Sequence, residues 1–177
     1  MTGASEYGRA LFMLASELGV SDVVKNDALT VKTVLEGNPE YKNLLDTPAI
    51  AKEEKLALAD KAFGSLHYSV CNLVKILSER HSVHAFAEVY RTYLALYNES
   101  MGIEEVEAVT AVPMNEQQLD ALKARLTKET GKTIIIKNTV DPSILGGVKL
   151  RYSGKQIDGS VRTRLDAFSE GLKNIIV

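Results

Sequence analysis

The chain has no tryptophan, one cysteine, four prolines and three histidines in 177 residues. Its single thiol, Cys71, has no intrachain disulfide partner, and the setting Val70-Cys71-Asn72-Leu73-Val74 reads as a small core residue. No stretch approaches the roughly 20 apolar residues needed to cross a bilayer. The start, Met1-Thr2-Gly3-Ala4-Ser5-Glu6, lacks a basic region followed by an apolar run, so a soluble, reduced, intracellular chain without membrane insertion is expected. Charge of one sign is also missing: 21 basic residues face 23 acidic ones, for a net charge of -2. Without surplus cations there is no footprint for phosphate backbones, and no nucleic-acid partner is expected.

The sequence is equally short of catalytic constellations. His81 and His84 are three apart and can share a helix face, but no cysteine, third histidine or carboxylate pattern completes a ligand set. Solvated helix-end histidines are the better reading, and no metal or cofactor is expected. A phosphate loop ending in Gly154-Lys155 requires glycine at 149 and a hydroxyl residue at 156; the chain has Lys149 and Gln156. Gly146, Gly147, Gly154 and Gly159 do not form the dinucleotide-binding glycine pattern either, since they fall between short strands. Glu104, Glu105 and Glu107 read as an exposed strand face.

What is present from Ser5 to about Ser100 is helical periodicity. Tyr7, Ala10, Leu11, Leu14, Ala15 and Leu18 follow the spacing that lines one helix face, and Gly19 is a natural stop. A second helix follows Ser21 or Asp22 as cap, carries Val24, Ala28, Val31 and Leu35, and ends at Gly37. Glu40 to Leu45 reads as a short third helix, Thr47-Pro48 opens a fourth running to Phe63, His67 to Arg80 makes a fifth, and Ser82 to Glu99 a sixth. Tight connections between six such helices describe an antiparallel bundle.

After Met101-Gly102 the period changes. Ile103 to Val112 is a β-rich run, Asn115 caps a charged helix that ends at Gly131, and Thr133-Ile134-Ile135-Ile136 is a β-branched strand. Two further strands, Gly147 to Tyr152 and Lys155 to Ile157, meet at Ser153-Gly154, and a last helix runs from Ser160 to about Ile175. The expected fold class is therefore α+β, a six-helix bundle over residues 1–101 followed by a small sheet domain over residues 102–177.

Two helices carry more apolar surface than one neighbour covers. At about 100° per residue, Val70, Cys71, Val74 and Leu77 share one side of helix five, while Leu73 and Ile76 turn toward the opposite side with Ser69 and Arg80. In helix one, Phe12 and Met13 fall outside the main stripe. Either a neighbouring helix covers these surpluses or they form a groove for an amphipathic helix of another protein. Helix six, with Val83, Phe86, Val89, Tyr90, Tyr93, Leu94 and Tyr97, reads as the central core helix. Near the C-terminus, Asp141-Pro142-Ser143 is a turn, Gly146-Gly147 permits a bulge, and Asp158-Gly159-Ser160 turns a strand into a helix.

Three stretches carry a resemblance: Tyr7-Gly8-Arg9-Ala10-Leu11-Phe12, Asn72-Leu73-Val74-Lys75-Ile76-Leu77, and Leu145-Gly146-Gly147-Val148 through Ile157-Asp158-Gly159-Ser160-Val161-Arg162-Thr163-Arg164-Leu165. With them the chain resembles the ATP synthase delta subunit family, related to the mitochondrial oligomycin-sensitivity-conferring protein, over nearly its whole length. Gly146, Gly147, Asp158, Gly159, Ser160, Arg162 and Leu165 stand in the long signature as structural residues. Gly8 replaces the alanine more common in that family, at some loss of helix propensity.

The resemblance implies a non-catalytic stator protein without cofactor, peripheral on the cytoplasmic face of a bacterial plasma membrane. It implies that the bundle holds the N-terminal helix of a catalytic-head alpha subunit between helices one and five, through Tyr7, Leu11 and Leu14 and through Asn72, Leu73, Ile76 and Arg80. The smaller domain would meet the C-terminal region of the peripheral-stalk b subunit. A competing reading is a small-molecule-binding or enzymatic α+β domain with the helices as a dimerisation arm; a third is a scaffold for unrelated helical peptides.

Overall fold

A computed structural model describes residues 3–144, 146–152 and 155–159. The final helix expected from Ser160, with Ser160, Arg162 and Leu165 of the signature, and the Ser153-Gly154 joint lie outside the described residues. Two compact units divide between Asn98 and Glu99. The class is α+β: helices occupy the first unit, and a small mixed sheet with one helix makes the described part of the second.

In the first unit the helices are α1 (Gly3–Glu17), α2 (Ser21–Gly37), α3 (Pro39–Asp46), α4 (Lys52–Phe63), α5 (Tyr68–Glu79) and α6 (Phe86–Ser100). Each buries the stripe its spacing marks: Val24, Ala28, Val31 and Leu35 in α2, Val70, Val74 and Leu77 in α5, and Phe86, Val89, Tyr90, Tyr93 and Tyr97 in α6. Several ends differ from the sequence reading. The fourth helix begins at Lys52 instead of Thr47-Pro48, because Thr47 is extended and its hydroxyl accepts from Ala49 N–H, holding the chain in a turn. Neither Ser21 nor Asp22 caps α2; the cap residue is Val20, and the Asp22 carboxylate instead takes the Tyr97 hydroxyl and Lys25. The sixth helix opens with a 3₁₀ turn at Val83–Ala85.

Long-range carboxylates fix where α5 and the 3₁₀ turn begin. Asp27 of α2 accepts from His67 N–H, the residue capping α5, at 2.7 Å. Asp46, the last residue of α3, accepts from Val83 N–H and from His84 N–H and lies 2.8 Å from His84 Nδ1. His81 takes a left-handed φ of 54° after α5, with its Nδ1 3.1 Å from the Nζ of buried Lys55 on α4. The two histidines therefore serve separate ties between elements.

Gly8 has a different role from a weak helix former. A Cβ there meets Val89 O at 2.6 Å and Thr92 Cβ at 2.8 Å, so α1 and α6 touch backbone to backbone at this point. Phe12, read as surplus, packs edge-on against Tyr93 with ring centroids 5.7 Å apart. Tyr93 is fully buried, and its hydroxyl donates to Ser21 O at 2.8 Å.

The second unit has strands β1 (Ile103–Thr110), β2 (Thr133–Val140), β3 (Val148–Tyr152) and β4 (Lys155–Asp158), with α7 (Glu116–Thr130) between β1 and β2. The strand order is β2-β1-β3-β4; β1 pairs parallel with β2 and antiparallel with β3, and β3 antiparallel with β4. The parallel pair needs a crossover, and α7 supplies it. Asn115 and Gln118 cap α7 reciprocally, and Gly131 ends it in the left-handed conformation at φ 70°. Val106, Ala108, Ile134 and Leu150 share the sheet face that packs on Leu126 of α7. Glu104 corrects the exposed-face reading: it is buried, and Lys132 Nζ donates to it at 2.6 Å.

Gly8→Ala gains about 1 kcal/mol of helix propensity but drives a methyl group against the Val89 carbonyl, an overpacking that costs about 3 kcal/mol. A net loss of about 2 kcal/mol is expected by chemical denaturation; an unchanged midpoint refutes the close contact. For Tyr93, burial pushes the phenol up from 10.0 to about 12. The folded state thus holds this proton more tightly, so the tyrosine's contribution to stability is complete below pH 10 and lost as pH rises toward 12. Tyr93→Phe should flatten stability between those values; a curve unchanged from wild type contradicts the assignment.

Candidate functional site

Helix α1 has three neighbours to satisfy and apolar residues on more sides than they cover. Leu11 and Ala15 are buried, whereas Leu14 is 38% exposed and Leu18 46% exposed. On α5 the same imbalance leaves Leu73 buried and Ile76, one turn further, 43% exposed. These residues converge. A groove of about 320 Å³ runs between the two helices, lined by Tyr7, Ala10, Leu11 and Leu14 from α1 and by Tyr68, Ser69, Asn72, Leu73 and Ile76 from α5.

Six of the seven residues that the resemblance nominated thus line one groove: Tyr7, Leu11, Leu14, Asn72, Leu73 and Ile76. The seventh, Arg80, caps the C-terminus of α5, and its guanidinium carbon lies 5.9 Å from the centre of the Tyr7 ring. That contact sets the C-terminal end of α5 beside the N-terminal half of α1. Ala10, Tyr68 and Ser69 line the groove without having been nominated. Ala10 was legible in the α1 stripe, and Ser69 lies four residues before Leu73 on the same face. Tyr68 had no periodic signal.

The lining contains no carboxylate, imidazole, amine or thiol. Its polar atoms are tyrosine hydroxyls, the Asn72 amide and Ser69 Oγ, which is buried without a hydrogen-bond partner. Cys71 faces away, toward Asp60 at 3.5 Å, and burial pushes its thiol above the ordinary range. Such a surface offers little directional bonding, which suits an apolar helix face better than a polar metabolite.

Two wider hollows in the second unit differ in character. One of about 500 Å³ is lined by Glu105, Val106, Glu107, Ile135, Lys137, Arg151 and Tyr152, and its charges pair across strands, Arg151 Nη1 lying 3.4 Å from Glu107 Oε2. Another, of about 490 Å³, lies against Gly146, Gly147 and Val148 at the start of β3. There Gly147 holds φ 80°, which favours glycine at that position of the signature. Asp158 at the far side of β3 pairs with Lys149 at 3.1 Å, and Gly159 N–H donates to Val148 O. The described signature residues therefore close the β3–β4 hairpin. Among the described residues no helix is long and apolar enough to cross a membrane.

Fold and groove together define a class, two-unit α+β proteins whose helical unit presents an uncharged apolar groove. The sequence profile described as ATP synthase delta (OSCP) subunit matches residues 4–172. The subunit delta of Geobacillus sp. (strain WCH70) is 33% identical over 170 residues, covering 96% of each chain. That of Anaeromyxobacter dehalogenans (strain 2CP-1) is 35% identical over 173 residues, again covering 96% of each. A chain of the Toxoplasma gondii mitochondrial ATP synthase hexamer shares the fold at a TM-score of 0.76 and 22% identity, covering 97% of this chain and 98% of that one. The chain belongs to the ATP synthase delta (OSCP) subunit family, a stator component of F-type ATP synthases with no catalytic role of its own.

Leaving a buried hydroxyl unpaired costs about 1–3 kcal/mol, so Ser69→Ala should raise stability, by about 1 kcal/mol, without loss of helix content. Thermal denaturation followed by circular dichroism measures it. A destabilised Ser69→Ala protein means the hydroxyl has a partner in solution.

Proposed function

We propose that the helical unit is an antiparallel bundle whose α1–α5 groove seats the amphipathic N-terminal helix of the alpha subunit of a catalytic head. In this reading residues 1–101 grip the head, and residues 102–177 meet the C-terminal region of the peripheral-stalk b subunit. The chain then tethers head to stalk against rotor torque, peripherally on the cytoplasmic face of a bacterial plasma membrane. The observation that supports it is the groove itself, an uncharged lining in which half-exposed Leu14 and Ile76 accompany buried Leu11 and Leu73.

Apolar burial fits the task. Area removed from water stabilises by about 25 cal/mol per Å², so a few aliphatic side chains of an incoming helix suffice for tight, static attachment. The enzymatic or small-molecule reading would use the α+β unit, where the wider hollow's Glu107 and Arg151 are already paired with each other across strands.

Binding of a fluorescent peptide, carrying the N-terminal segment of the cognate alpha subunit, to the full chain tests the reading by anisotropy. Wild-type protein should bind, and Ile76→Asp should lose at least about tenfold in affinity, since it puts a hydrated charge where an apolar side chain is to be buried. Because Ile76 is half-exposed, the variant should keep its helix content and melting temperature. No binding by wild type rejects the groove's occupant; equal binding by Ile76→Asp rejects its position.

A further inference from the structure

An apolar groove without charge has a physical shortcoming. An amphipathic helix laid in it in either direction buries similar area, so burial alone selects neither polarity nor register. One cation stands where the ambiguity can be broken. Arg80 follows Ile76 by four residues on α5, and its guanidinium lies over the ring of Tyr7, which itself lines the groove. A cation–π contact of this kind leaves the guanidinium's fork of N–H donors unspent. The acid next to it in sequence, Glu79, is held by Lys52 Nζ at 3.1 Å. Among the described residues no carboxylate pairs with Arg80.

The side chain is thus exposed, oriented by an aromatic ring, and unpaired at one end only of a surface that is otherwise uncharged. We propose that Arg80 receives a carboxylate of the bound helix, at one end of that helix's apolar stripe, and so fixes the direction in which it lies. This rests on the groove being the seat of the alpha-subunit helix. Of the basic side chains, arginine suits the role because its planar fork meets a carboxylate through two parallel N–H···O bonds, whereas an ammonium acts as a point charge. The contact with the Tyr7 ring favours one position of the guanidinium beforehand, so less rotamer freedom is lost on pairing. In the reversed orientation the carboxylate of the incoming helix reaches the Leu14 and Tyr68 end instead, where the lining offers no cation.

A double-mutant cycle tests it. The full chain, as wild type, Arg80→Ala, Arg80→Lys and Ile76→Asp, is titrated with the synthetic N-terminal peptide of the cognate alpha subunit and with peptides in which each Asp or Glu is changed in turn to Asn or Gln. For one carboxylate the amide change should weaken wild-type binding by on the order of tenfold and leave Arg80→Ala binding unchanged. Arg80→Lys should fall between the two, and the difference between wild type and Arg80→Ala should shrink in high salt. If Arg80→Ala binds within about twofold of wild type, or no carboxylate couples to it, the role of Arg80 is overturned. The groove reading survives that result provided Ile76→Asp still loses binding. Absence of binding by the wild-type chain overturns both.

Discussion

The closeness of α1 to α6 is the constraint on which the helical unit depends. Gly8 lets the two backbones approach to a separation at which even a methyl group collides with Val89 O, and Phe12 then reaches the buried ring of Tyr93. With that side of α1 committed to α6 and Leu11 and Ala15 turned into the core, Leu14 and Leu18 are left exposed. The groove is what remains when a helix with apolar residues on several sides has more of them than its neighbours cover. Helix α5 repeats the situation from the other wall. Val70, Val74 and Leu77 fill the core, so Ile76 turns outward and Leu73 becomes floor.

Polar side chains from distant parts of the chain hold the walls in register. Asp27 fixes the first turn of α5 from α2, Asp46 fixes the turn leading into α6 from α3, and Tyr93 and Tyr97 fasten α6 to the start of α2. Each is a carboxylate or carbonyl accepting from a group that a helix start or a buried phenol must satisfy somewhere. Lys25, beside the Tyr97 ring at 4.2 Å, adds a charge to the same corner, and the Tyr97 and Lys25 hydrogen bonds hold the Asp22 carboxyl below the usual carboxylate range. Such ties contribute modestly one by one, and Asp22 is exposed enough for solvent to screen its part. Their effect is geometric: they set where α5, one groove wall, begins, and where α6, on which the other wall rests at Gly8, begins.

Periodicity made the helices, the strands and the two over-apolar faces legible from the sequence, because Leu, Val and Tyr at helical spacing fall on one side of the chain only when it is coiled as a helix. The capping of α7 by Asn115 and its end at Gly131 were legible because both are local backbone chemistry. Less visible were features set by residues far apart in the chain. Asp22 looks like a helix cap until Tyr97, 75 residues away, competes for its carboxylate. Gly8 reads as a weak position in a helix until the opposing carbonyl of Val89 shows why a side chain has no room. Glu104 shares the strand parity of buried Val106 and Ala108, but a carboxylate there reads as exposed until Lys132, 28 residues away, is seen to pair with it. For the groove, the resemblance named six lining residues and Arg80, but neither it nor the spacing revealed that Arg80 sits on Tyr7.

A stator attachment differs from a switch or a catalytic pocket in what it asks of a surface. It must stay occupied while force is applied, so slow release matters, and release is governed by how well the central anchors are buried and how little the seat rearranges. An uncharged groove meets the first condition because an aliphatic contact carries no desolvation penalty and little dependence on salt or pH near neutrality. The second follows from the walls being core helices. Leu11 and Leu73 each belong to the interior on one side and to the groove on the other, so displacing the seat means opening the core of the unit itself. Force on a bound helix is thereby resisted by the same packing that folds the protein.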